Sequence, residues 1–303
     1  MDDFDMLAMA EAAFGESLEA RYGEEVAAML RRFHGPGLLL HAPPREGRAP
    51  VPRSWLWGAP TLPEDIAWPM FEWSGHAFPM SFLAQIDCAS VPRVEGIPFP
   101  EAGTLMFFYD LNFQKERSSR TAPGYLEGGR VVYVEGGVEG VAPREMPPFA
   151  EVPAAELGFI EDLDAYDWDD GPKAPRREAE AFELNRMSFQ LDDCGVRFEE
   201  DTPKAVWTRY FEARDEIWPF QGEGIGAAFG EDWPLHYLFG ERESSAVKSR
   251  EFRQPEKWNT HVNLLSLGDV KPYRFFNERV SFLIPVDALR ARDFDAAFAD
   301  GGM

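Results

Sequence analysis

Two apolar runs in the first third of the chain constrain its fold most. Phe82-Leu83-Ala84-Gln85-Ile86-Asp87 is followed by Gly103-Thr104-Leu105-Met106-Phe107-Phe108-Tyr109-Asp110. The link between them holds Pro92, Gly96, Pro98 and Pro100. Short β-rich runs joined by a segment that cannot hold a helix predict two strands of one antiparallel sheet. Strand side chains alternate, so Phe82, Ala84 and Ile86 share one face and Leu83, Gln85 and Asp87 the other.

A similar pair occurs late in the chain. Asn263–Gly268 and Arg279–Ile284 repeat the order of a run with a polar residue near its middle, then a loop, then a strongly apolar strand. This predicts an internal duplication with two related sheet units. The 26 glycines and 25 prolines favour short strands and turns over long helices.

Residues 2–33 form the clearest helical segment, with Phe14, Leu18, Tyr22 and Val26 four apart and Met29, Leu30 and Phe33 extending the stripe. Gly15 and Gly23 weaken it enough to allow two helices, and Gly35-Pro36-Gly37 stops it. Trp55–Pro69 is too rich in proline for a central strand or helix, and predicts an irregular band with its aromatics packed on neighbouring structure. Val131–Val134 is a further strand, Trp207–Ile217 a helix and Asp287–Phe298 a terminal helix. Glu161–Asp170 carries six acids in ten residues. With Pro172–Arg177 after it, that stretch reads as a linker.

The predicted class is therefore α+β: two related, mainly antiparallel sheet units with an N-terminal helical segment. The helical segment spans 1–37. Residues 38–303 form the main domain, with sheet units of about 38–160 and 180–303 packed as one body.

Acids number 53 and bases 30, for a formal net charge of −23. That field repels phosphate backbones and anionic lipid surfaces, which argues against nucleic-acid and membrane partners and favours a cationic protein. Nothing specifies an oligomer. The acidic start, the absence of a span-length apolar run and only two cysteines, Cys88 and Cys194, predict a cytoplasmic protein.

Candidate binding residues are Gln85 and Asp87, with Trp57 and Trp68 lining a groove beside them, and His236 among apolar neighbours. For Gln85 and Asp87 the competing reading is structural, with Gln85 satisfying backbone groups of the band and Asp87 capping the strand end. For His236 the favoured reading is a hydrogen-bonded core histidine. No catalytic residue is assigned and no metal or cofactor is expected: His34, His41, His76 and His261 lack ligand spacing. The acids of 161–170 fail the calcium-loop pattern at Tyr166 and Asp167. Gly222-Glu223-Gly224-Ile225-Gly226 matches a dinucleotide fingerprint in letters but not in context.

Gly58-Ala59-Pro60-x-Leu62-Pro63, Trp68-Pro69, Phe82–Asp87 and Pro100–Asp110 resemble, in order, the YwqG-like family of uncharacterised bacterial proteins, a domain of unknown function. His236–Gly240, Asn263–Leu267, Val280–Ile284 and Asp293-Phe294 continue the resemblance. The family's Trp-Gly-Asp before the last strand stands here as Phe275-Phe276-Asn277. The resemblance implies an α+β fold with duplicated antiparallel sheets and no established activity. It makes a non-enzymatic protein-binding module the leading reading, with an immunity role as its narrower form. The alternative is an enzyme acting on a small molecule at the cleft between the sheet units.

Overall fold

The computed structural model describes residues 4–32, 34–42, 44, 46–112, 128–149, 151–152, 177–191, 203–229, 236–240, 260–268 and 279–300. Its class is α+β, in stacked layers.

Three short helices open the chain: α1 (Met6–Phe14), α2 (Leu18–Tyr22) and α3 (Glu24–Arg32). Asp5 starts the first by accepting the Leu7 and Ala8 amides at 2.9 and 3.2 Å. Gly15 ends it at φ 70°, and Gly23, at φ 86°, separates the next two. From Phe14 to Leu30 the expected helical stripe is present, broken at both glycines into three pieces; Phe33 lies outside the described residues.

Seven strands form the larger sheet. In spatial order they are β1 (Phe4–Asp5), β10 (Glu183–Leu191), β2 (His34–His41), β11 (His236–Phe239), β12 (His261–Gly268), β13 (Arg279–Pro285) and β14 (Phe298–Asp300). All neighbours are antiparallel except β1 and β10. The second sheet runs β8 (Gly129–Val134), β7 (Thr104–Tyr109), β6 (Ser81–Asp87), β3 (Trp55–Leu56) and β9 (Glu180–Ala181). A separate hairpin joins β4 (Met70–Trp73) to β5 (His76–Pro79).

The two sheets pack face to face around one apolar core. Phe107 of β7 meets Phe282 of β13 edge-on at 5.2 Å, and Phe99 meets Phe239 at 5.3 Å. Phe182 lies in that core, between β9 in one sheet and β10 in the other, and its carbonyl accepts the Val51 amide at 2.7 Å. On the far side of the larger sheet, Leu39 and Tyr237 pack against α1–α3 and α4 (Lys204–Phe229) through Val206, Tyr210, Ala213 and Ile217. On the far side of the smaller sheet, Phe82, Met106 and Phe108 pack under the hairpin and the proline-rich band.

Three sequence expectations change. Gln221–Phe229, where three glycines argue against a helix, continues α4 beyond Pro219. The terminal helix covers only Val286–Ala291 (α5): Arg292 adopts φ 62° there, and the chain goes on through a single 3₁₀ turn, Phe294–Ala296, to β14. Trp233–Gly240, whose aromatic and proline letters resemble those of Trp55–Pro69 and so read as a second irregular band, holds a strand at His236–Phe239. The acidic stretch 161–170 and its linker role lie outside the described residues.

Candidate functional site

Gln85 sits in the middle of β6 and is fully buried. Its Oε1 accepts from the Thr61 amide at 3.0 Å and the Thr61 hydroxyl at 2.8 Å, while its Nε2 donates to the Arg53 carbonyl at 3.1 Å. One side chain therefore anchors Arg53 and Thr61, which flank β3 and belong to no ladder. Trp55–Leu56, the start of the segment expected to hold no central strand, is itself a strand between β6 and β9. Asp87, two residues on, ends the strand. Its carboxylate accepts from the Ala89 amide and the Ser90 hydroxyl and so caps the 3₁₀ turn Cys88–Ser90, and its own amide donates to Ser54 Oγ at 2.8 Å.

Trp57 and His236, far apart in sequence, meet between the sheets. Their rings stand edge-to-face at 5.9 Å, both buried. His236 Nδ1 accepts the Gly268 amide at 3.1 Å, which fixes the neutral ring with its proton on Nε2. Burial, then the positive fields of Arg279 and Arg177, push its pKa down to about 3. A ring so reluctant to take a proton is a poor general base near neutrality. Arg177 lies 5.6 Å over the Trp57 ring and is paired with Glu180.

Trp68 lies on the opposite side of the smaller sheet from Trp57. Its Nε1 donates to the Met80 carbonyl at 3.0 Å, and its ring meets Phe108 edge-on at 5.3 Å. The structure thus brings Trp57 and His236 together, and places Gln85, Asp87 and Trp68 at three other points of the scaffold. Cys88 is buried, and burial reinforced by Asp87 pushes its thiol up to about 12 despite Arg292. Among the described residues no group of three His, Cys, Asp or Glu could hold a metal ion.

Two features escaped the sequence reading. The first is a buried polar row on the helix-facing side of the larger sheet. Asn263 Nδ2 donates to Ser266 Oγ at 2.9 Å, Ser266 and Ser281 share a hydrogen bond at 2.7 Å, and Arg279 donates to the Tyr237 hydroxyl at 3.1 Å. The alternation Arg279-Val280-Ser281-Phe282 in β13 carries that signal. The second is the charge of the layer outside the smaller sheet. Residues 60–82 and 134–152 present Glu64, Asp65, Glu72, Glu135, Glu139, Glu145 and Glu151, all exposed, with Arg144 as their one arginine and no lysine. Local charge counts along the chain would have found it.

Residues 54–300 match a family described as Domain of unknown function (DUF1963). No curated protein matches the chain.

Proposed function

The chain belongs to the DUF1963 family, and from that premise we propose that it is a non-enzymatic protein-binding module whose partner is a cationic protein. Within the family we place it with the YwqG-like proteins, on the Gly58-Ala59-Pro60 and Trp68-Pro69 strings and the β6–β7 pair, and we read it as cytoplasmic. An immunity role is the narrower form of the same proposal. No helix among the described residues is long and apolar enough to cross a membrane.

The carrying observation is how the polar candidates are used. Gln85, Asp87 and Trp68 spend their polar atoms on the chain's own backbone, side chains or caps, and His236 spends its Nδ1 on the Gly268 amide. The space between the sheet units, where an enzyme would need its cleft, is filled by apolar side chains from both sheets. That leaves the surface as the working part, and with a net charge of −23 the surface selects positive partners.

The test begins with tagged full-length protein used to capture partners from the source cells, each then purified and measured alone. A basic protein whose association rate falls steeply with salt, while its dissociation rate changes less, is the expected result. An acidic partner, or a small-molecule turnover lost in His236→Asn with the fold intact, would overturn the proposal.

A further inference from the structure

We propose that the outer face of the β4–β5 hairpin, with the band around it, is the docking surface, and that it takes a basic amphipathic segment of another protein. This rests on the binding reading above and names its surface and the chemistry of its partner.

The hairpin is a two-stranded sheet with one face turned inward. Phe71 and Phe78, directly opposed, are buried against the smaller sheet, together with Leu62, Trp68, Met80 and Val138. Alternation then turns Met70, Glu72 and Ala77 outward, and all three are exposed. Met70, at 40% exposure, is one of two large apolar side chains left open among the described residues. A flexible thioether is suited to contact with varied apolar partners.

Charge decides what can sit there. Because the apolar side chains of this layer point inward, its carboxylates point out: Glu64, Asp65, Glu72, Glu139, Glu145 and Glu151 surround the hairpin in sequence and layer. Arg144, half-buried, is the one arginine within residues 60–82 and 134–152, set against these six carboxylates. Its guanidinium donates to the Ile66 carbonyl at 2.8 Å and lies over the Trp68 ring at 6.0 Å. Among the described residues, Arg53 reaches in from outside, 3.4 Å from Glu139. The helical layer differs. There Arg21 pairs with Glu16 and Glu216, Arg31 with Glu19 and Glu11, and Arg214 with Asp215, so five of its acids are interlocked with bases.

A second copy of this chain would bring the same acids against themselves, and nucleic acid or an anionic membrane would bring the same sign. A segment with an apolar side chain over Met70 and lysines or arginines around it satisfies both properties of the face.

The test uses the full chain and a synthetic Lys/Leu amphipathic peptide as probe, with affinity read by fluorescence anisotropy at two salt concentrations. Glu72→Lys with Glu145→Lys should weaken binding at least about tenfold. Glu25→Lys with Glu212→Lys, an equal charge change on the helical layer, should weaken it less than about threefold. Met70→Ser, which leaves charge untouched, should weaken it severalfold, and thermal melts confirm that each variant folds. Equal losses in the two charge-reversed proteins, or no loss in Met70→Ser, would overturn the surface. If a captured natural partner binds the Glu72→Lys/Glu145→Lys protein undiminished, this face is wrong and the binding reading stands. If no protein partner exists, the reading itself falls.

Discussion

Trp57 and Phe239 hold the same place in the two sheets. Each has φ 62°, a left-handed conformation rare for an aromatic residue, and each precedes a glycine at positive φ, Gly58 at 72° and Gly240 at 75°. The strands leading into them pair alike, Trp55 opposite Gln85 and Tyr237 opposite Ser266. The partner strands are irregular at the same point, between Phe82 and Ala84 in β6 and between Asn263 and Leu265 in β12. These matches support the proposed duplication, since separate origins would not have to share a bulge and a strained corner.

The corner at Gly58 is tight. A Cβ there would lie 2.8 Å from Ala179 Cβ and 2.9 Å from the Ala179 amide nitrogen. Gly137, at φ 70°, has open space around it. Gly137→Ala should therefore cost only the left-handed term, about 1 kcal/mol, and Gly58→Ala that term plus roughly 1–3 kcal/mol of overpacking. Denaturant titration of the pair checks it. Equal midpoints would mean that Ala179 yields freely.

Gln85→Leu keeps the volume and removes three hydrogen bonds. The Thr61 amide and hydroxyl and the Arg53 carbonyl lose their partner, at a cost of roughly 3 kcal/mol in all. Adding Thr61→Val removes one orphaned group and should recover part of the loss. A neutral Gln85→Leu would mean that the band carries its own weight.

Trp68→Ala removes the ring on which the band rests over Phe108, together with the Nε1 bond to Met80. The expected cost is roughly 3–5 kcal/mol, and Trp68→Phe should cost clearly less. An unshifted denaturation midpoint in Trp68→Ala would show that the ring does not anchor the band.

The strand pairs were legible because alternation and breakers act locally, and Val280–Ile284 carries its faces in its own letters. In Phe82–Asp87 the strict alternation fails: the bulge between Phe82 and Ala84 turns Phe82 to the band side, while Ala84 and Ile86 lie in the core between the sheets. The structural uses of Gln85 and Asp87 were legible for the same reason. What brings Trp57 to His236 is the packing of two sheets, and no local pattern encodes it. Gly222, Gly224 and Gly226 signalled a break by propensity, yet the helix runs through them. The end of α5 depends on Arg292 turning left-handed, with its guanidinium on the Pro98 carbonyl at 2.7 Å, a long-range contact invisible in sequence.

Two histidines make the fold sensitive to mild acid. Burial holds His236 down at about 3 and His34 at about 4, against 6.5 for the free side chain. Above pH 7 both are neutral folded and unfolded, so neither alters stability. Between pH 6.5 and 4 the unfolded chain takes up protons that the folded chain refuses, so stability falls as pH is lowered. Each histidine contributes up to about 1.4 kcal/mol per pH unit. His236→Asn, whose amide oxygen can accept the Gly268 N–H, should be less stable than the native protein at pH 7. That gap should narrow by about 2 kcal/mol at pH 5. A gap that does not change with pH would show that His236 is protonated in the folded state.

The sheets also touch at an edge. Gly129 opens β8, an outer strand of the smaller sheet, and its missing Cβ would fall 2.2 Å from the Cβ of Ala299 in β14, an outer strand of the larger one. Gly129 needs no special backbone conformation; what it supplies is room. Gly129→Ala should therefore destabilise by about 1–3 kcal/mol through overpacking alone. Ala299→Gly vacates the contested volume, at its own cost of about 1 kcal/mol in chain entropy. Combined, the two changes should cost at least about 1 kcal/mol less than their sum, because each removes the other's clash. Additive losses in the double-mutant cycle would mean that the edges of the two sheets do not meet at Gly129 and Ala299, and that the core between them is open on that side.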